Sequence, residues 1–192
     1  MKFLGDLHQA RGDLAGAIGW YEKALAANRG DPRPYFLLGA VYLSAGKDAQ
    51  AMRIYKQAQR FPRYLGETYS NLGALHLKRG ENDVALWYLK VATQKKPQNA
   101  RIRYNYGLAL AKKRNRDEAL TQFQRAAELD PEEAEFRFAL GVALLRLGRL
   151  EEAERALVAA VRLDPRHEDA RHNLVLIEEL RRRAKEGEIQ IE

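Results

Sequence analysis

The sequence predicts an all-α fold, an α-solenoid of about five 34-residue helix-turn-helix repeats with a C-terminal capping helix. Three observations carry that expectation. Small residues recur with one period: Gly5, Gly39, Gly73, Gly107 and Gly141 stand 34 residues apart, as do Ala17, Ala51, Ala85, Ala119 and Ala153, and again Ala24, Ala58, Ala92, Ala126 and Ala160. Large residues keep the same phase, in one column at Leu4, Leu38, Leu72, Tyr106 and Leu140 and in another at Tyr21, Tyr55, Leu89, Phe123 and Leu157. Within a copy, apolar residues recur at three and four with one break, the mark of two amphipathic helices. A fixed period of this length identifies a repeat architecture, in which neighbouring units bury a face that none could bury alone.

The copies run over 1–31, 32–65, 66–99, 100–133 and 134–167, followed by a capping helix over 168–186 and a short tail over 187–192. Residues 1–186 read as one domain. The last full copy shows the logic of each element. Its first helix carries Phe136, Leu140, Ala143, Leu144 and Leu147, and its second carries Leu150, Ala153, Leu157, Ala160 and Val161. Gly148 separates them, as Gly12, Gly46 and Gly80 do elsewhere, because glycine accepts the left-handed geometry that ends a helix. Pro165 then ends the second helix; Pro97 and Pro131 keep the period and Pro62 falls one residue early. The glycine and alanine columns belong where two helix backbones approach closely. Met1 falls at the fourth position of its copy, which suggests a chain cut from something longer or begun at an internal site. The capping helix is expected to turn the polar residues Glu178, Glu179, Arg181, Arg182 and Arg183 outward, since a solenoid's terminal unit must cover the last apolar face.

Composition narrows the function classes. The chain has 192 residues, 46% hydrophobic and 31% charged, which suits a folded protein. No apolar run is long enough to cross a bilayer, and the first residues lack the apolar stretch of a signal peptide, which favours the cytoplasm. There is no cysteine, so disulfides, thiolate zinc sites and cysteine nucleophiles are excluded.

The columns resemble those of the tetratricopeptide repeat family, whose pattern is an aromatic, Leu-Gly, an aromatic, Ala, an aromatic, Ala and Pro at set offsets. The copy over 32–65 matches it with Tyr35, Leu38-Gly39, Tyr42, Ala51, Tyr55 and Ala58. The resemblance covers residues 1 to about 186. It departs at the first aromatic, which is Arg103, Arg137 and Arg171 in later copies, and at the second, which becomes His76, Leu110 and Leu144. The resemblance implies a right-handed superhelix whose first helices line a concave groove. Carried onto this sequence, its groove positions give a site of Arg33, Phe36, Lys78, Arg101, Tyr104, Leu108, Lys112, Phe138, Val142 and Arg146. The implied activity is protein–protein recognition, with no cofactor and no catalysis. The family's chaperone-tail clamp needs a Lys and Asn that this chain replaces with Phe36 and Ala40, or Ser70 and Ala74, so that subtype is disfavoured.

Candidate chemistry is thin. His167 and His172 stand five apart, too far round a helix for a zinc-protease pair, and read as surface histidines. His8 and His76 fill an aromatic column, where packing is favoured. Gly39 to Lys47 only faintly echoes a phosphate loop. The carboxylates Asp117, Glu118, Glu151, Glu152 and Glu154 open second helices, where the dipole favours them. Charge is uneven: the formal net charge is +7, and the copy over 32–65 holds six basic residues against one acidic. Residues 112–116 add a basic turn. An acidic protein or peptide with apolar anchors is therefore the expected partner. Nucleic-acid binding through the basic second and third copies is the rival reading and ranks lower; self-assembly through exposed ends is a further alternative.

Overall fold

The computed structural model describes the backbone of residues 2–186 and the side chains of 4–186. Met1 and the tail over 187–192 lie outside the described residues. Eleven α-helices and no strand occur among those described. They fall into two compact units, Met1–Lys95 and Lys96–Glu192, so the stretch expected as one domain divides near the end of the third copy.

The first unit holds α1 (Lys2–Ala10), α2 (Leu14–Ala27), α3 (Arg33–Ser44), α4 (Asp48–Ala58), a 3-10 turn (Pro62–Tyr64), α5 (Leu65–Lys78) and α6 (Asn82–Lys95). Pro62, one residue early in the repeat, opens the 3-10 turn rather than simply following a helix. The second unit holds α7 (Ala100–Lys112), α8 (Arg116–Leu129), α9 (Ala134–Leu145), α10 (Leu150–Leu163) and α11 (Glu168–Lys185). In each unit consecutive helices pack as hairpins, α1 on α2, α3 on α4, α5 on α6, α7 on α8 and α9 on α10, and each hairpin packs on the next.

The periodic residues explain the packing. A Cβ at Gly39 would lie 2.5 Å from the Tyr55 ring, at Gly73 2.5 Å from Leu89, at Gly107 2.7 Å from Phe123 and at Gly141 2.6 Å from Leu157. Each glycine of a first helix is thus the socket for the large residue sixteen positions on. The alanines beside these sockets, such as Ala51, Ala85 and Ala153, are fully buried. A larger side chain there would push the two helices apart. Burial of Tyr35, Leu38, Tyr55, Leu72 and Leu89 builds the first core, and of Leu144, Leu157, Ala170 and Ile177 the second.

Polar groups end the helices as capping physics requires. Gly16 N–H donates to Asp13, Ile102 N–H to Asn99 and Ala170 N–H to His167. That last cap corrects one expectation. His167 is not a surface histidine: its side chain is only 13% exposed, and its ring lies 4.5 Å from that of Phe138. His172 is exposed. His76 is buried, stacked on Tyr88 and paired with Glu81, so the aromatic column is filled by a ring there too. The outer surface of α11 is less polar than expected, because Val175 and Leu176 are exposed on it.

Candidate functional site

The second unit contains a cavity of about 770 Å³ between α7, α9 and the start of α8. Tyr104, Leu108 and Lys112 reach it from α7, and Phe138, Val142 and Arg146 reach it from α9 and its end. Each trio is spaced at four, so it forms one stripe along its helix. The two trios are related by the repeat: 104 and 138, 108 and 142, 112 and 146. Alanines at 111, 139 and 143 keep the walls low and leave room between the stripes.

The stripes grade from apolar to basic along the helix direction. Tyr104 is 9% exposed; its ring lies 5.2 Å from Phe136 and 6.0 Å from Phe123. Its hydroxyl donates to Glu135 at 2.6 Å. Burial first, and that carboxylate second, push the Tyr104 phenol well above its ordinary pKa. Leu108, Phe138 and Val142 are half-buried, and Lys112 and Arg146 are exposed. Arg101 does not line the cavity. Its guanidinium lies over the Phe136 ring at 4.8 Å and 3.4 Å from Glu133, bracing the starts of α7 and α9.

The remaining expected residues belong to the first unit. Phe36 packs against Tyr64 at 5.3 Å and Tyr55 at 6.4 Å. Arg33 is held by Asp31 at 2.7 Å, and Lys78 by Asp48 at 2.6 Å. Arg79 pairs with Glu81, and Arg60 lies over the rings of Tyr35 and Phe61. These four of the eleven basic residues of the second and third copies therefore have partners within the fold.

Arg114 and Arg116 also line the cavity. In the sequence they read only as members of a basic turn. The signal that could have placed them is the period itself, since Arg114 stands in the column of Gly80 and Gly148. Among the described residues, no three His, Asp or Glu side chains gather so as to hold a metal ion, and no helix is long and apolar enough to cross a membrane.

Comparison with known proteins agrees with the helical-repeat fold. Tetratricopeptide repeat models match residues 5–46, 32–62 and 107–168. A solved tetratricopeptide repeat protein of Thermus thermophilus, TTC0263, is 30% identical, with 92% of this chain and 96% of that one covered and a TM-score of 0.72. The chain belongs to the tetratricopeptide repeat family. The tetratricopeptide repeat is a protein-interaction scaffold, and the all-α expectation holds. A second tetratricopeptide repeat structure, YrrB, described as having an unusual peptide-binding site, is 28% identical over 88% of this chain and 87% of that one, with a TM-score of 0.65. The Cut9–Hcn1 structure of the APC/C reaches a TM-score of 0.82 at 19% identity, covering 90% of this chain and 35% of that one, a likeness of fold alone. No curated protein sequence matches the chain.

Proposed function

We propose that this tetratricopeptide repeat chain captures a peptide, or an extended segment of a partner protein, in the cavity between α7 and α9. One observation carries the reading: two repeat-related stripes converge on an apolar-floored cavity of about 770 Å³. A cavity with an apolar floor and a few polar groups at its edge suits side-chain anchors. The peptide-binding site described for YrrB supports the class of ligand. Buried apolar anchors supply most of the affinity at such sites, and surrounding charges mainly steer association. Of the sequence-derived site, Tyr104, Leu108, Lys112, Phe138, Val142 and Arg146 form the proposed groove, and Arg101 braces its start.

A displayed library of random dodecapeptides, selected on the whole chain, tests this. Enriched peptides are expected to carry apolar residues and to lose about tenfold or more in affinity on Leu108→Glu, about 1.4 kcal/mol. Leu108 is half-buried at the cavity wall, so circular dichroism should remain close to wild type. Enriched peptides that bind the variant as tightly as the parent would place recognition elsewhere.

A further inference from the structure

The turn from α7 to α8 departs from the other hairpins. Gly12, Gly46, Gly80 and Gly148 take φ of 74°, 69°, 75° and 75° at their turns. The same column in the fourth hairpin is Arg114, at φ 60°, the one positive-φ residue other than glycine among those described. A side chain in that region is destabilising relative to glycine. Arg114 is exposed, so packing does not recover the cost. Strain of this kind persists only where the surrounding structure holds it, and it clusters at functional sites.

Arg116 is placed against local preference as well. It is the first residue of α8, where the helix dipole disfavours a cation. Lys112 and Arg146 stand at helix C-termini, where the dipole favours them, so those two alone would need no ligand. Two of the four cations thus oppose their backbone setting, and all four line one end of one cavity. None is ion-paired with another described residue, although Asp117 and Glu118 stand exposed further along α8. The one carboxylate lining the cavity, Glu135, is near the start of α9, about 16 Å along the helix from Arg146 at 1.5 Å per residue. Glu135 already accepts the Tyr104 hydroxyl and lies 3.7 Å from His167 Nε2.

The geometry points to an acid-reading end: Lys112, Arg114, Arg116 and Arg146 take at least two Asp or Glu side chains of an extended peptide whose neighbouring apolar residue rests on Leu108 and Val142. This rests on the peptide-capture reading. The occupant follows from charge complementarity, four exposed cations beside an apolar floor. The 16 Å length accommodates about five extended residues at about 3.3 Å each, enough for one anchor and an acidic pair.

The test uses the best binder from the dodecapeptide selection on the whole chain, synthesised with acetyl and amide caps. A second version replaces each Asp and Glu with Asn and Gln. The acidic peptide should bind wild type about tenfold or more tightly than its amide twin, with the gap shrinking as salt rises. The double variant Arg114→Gly with Arg116→Gln should narrow the gap to about threefold or less. Arg114→Gly alone should raise the melting temperature by a few degrees while weakening the acidic peptide. Equal binding of the two peptides to wild type, with Leu108→Glu still abolishing both, would overturn the acid-reading end and leave peptide capture standing. Binding of both that is indifferent to Leu108→Glu would overturn peptide capture and this inference together. A lower melting temperature for Arg114→Gly would refute the strain argument.

Discussion

The contact between Gly73 and Leu89 is where the repeat can be tested most directly. A Cβ built on Gly73 lies 2.5 Å from Leu89 Cγ and 3.0 Å from Cδ2. Cγ is the branch point of a fully buried side chain, so relief requires α5 and α6 to shift rather than a side-chain tip to swing. Gly73→Ala gains about 1 kcal/mol of helix propensity. It loses about 1–3 kcal/mol to overpacking, for a net destabilisation of about 0–2 kcal/mol. Gly73→Leu forces three further carbons into the gap, reaches about 3 kcal/mol, and should uncouple the third hairpin. Leu89→Ala alone should cost about 2–5 kcal/mol. In Gly73→Ala with Leu89→Ala the new methyl enters the vacated space, so the pair should be about 1–3 kcal/mol less destabilised than the sum of the singles. Urea melts followed by circular dichroism give the whole cycle. Additivity within about 0.5 kcal/mol would mean that the two residues do not meet and that the phase of the repeat is misread.

Gly19, inside α2, has open space where its Cβ would be, so Gly19→Ala should stabilise the first unit by about 0.5–1 kcal/mol in a thermal melt; a lower melting temperature would contradict that geometry. Asp13 is held below the ordinary carboxylate range by the Gly16 N–H and then by His8, and Glu81 by His76 and then by Arg79. Folded pKa values below the unfolded ones give stability that is complete above about pH 5 and is lost as pH falls through the folded values. Asp13→Asn with Glu81→Gln should therefore flatten the fall of the urea midpoint between about pH 6 and about pH 3, and an unchanged slope would count against those bonds. RNA and DNA should bind weakly, without sequence preference, and with steep loss on raising salt in a filter-binding titration; tight binding at physiological salt would reverse the ranking of partners.

The hairpins were legible in the sequence because one steric demand repeats at one spacing. A glycine socket and a bulky residue sixteen positions later cannot be read out of phase, and Gly39 with Tyr55 or Gly107 with Phe123 fix the register of a whole hairpin. Stripe residues such as Leu108 and Val142 were reachable through the family's groove positions. The division at Lys95 was not, since the repeat columns continue through it unchanged. His167 was misread because its ring is covered by Phe138, far back in the chain, and by no periodic neighbour. Arg114 and Arg116 were seen as charge rather than as geometry. Their significance lies in a backbone angle and a helix terminus, which composition does not display.

Tyr104 shows why groove and core are not separable along one stripe. From sequence it reads only as one of the groove residues. Its 9% exposure and its contacts with Phe123 and Phe136 make it part of the packing between α7, α8 and α9 as well. Its hydroxyl ties α7 to Glu135 on α9, so truncation would leave a cavity and release that carboxylate together. Four residues on, Leu108 is half-buried and, four further, Lys112 is exposed, so the same stripe passes from buried to exposed within about two turns. The gradient follows from the start of α7, which is clamped to the start of α9 through Arg101 with Glu133 and Tyr104 with Glu135. Leu108 and Lys112, nearer the end of α7, lie beyond that clamp. On the proposed reading, recognition in the second unit belongs with the later positions of the stripe and the turn beyond it, where Arg114 departs from the glycine of the other hairpins.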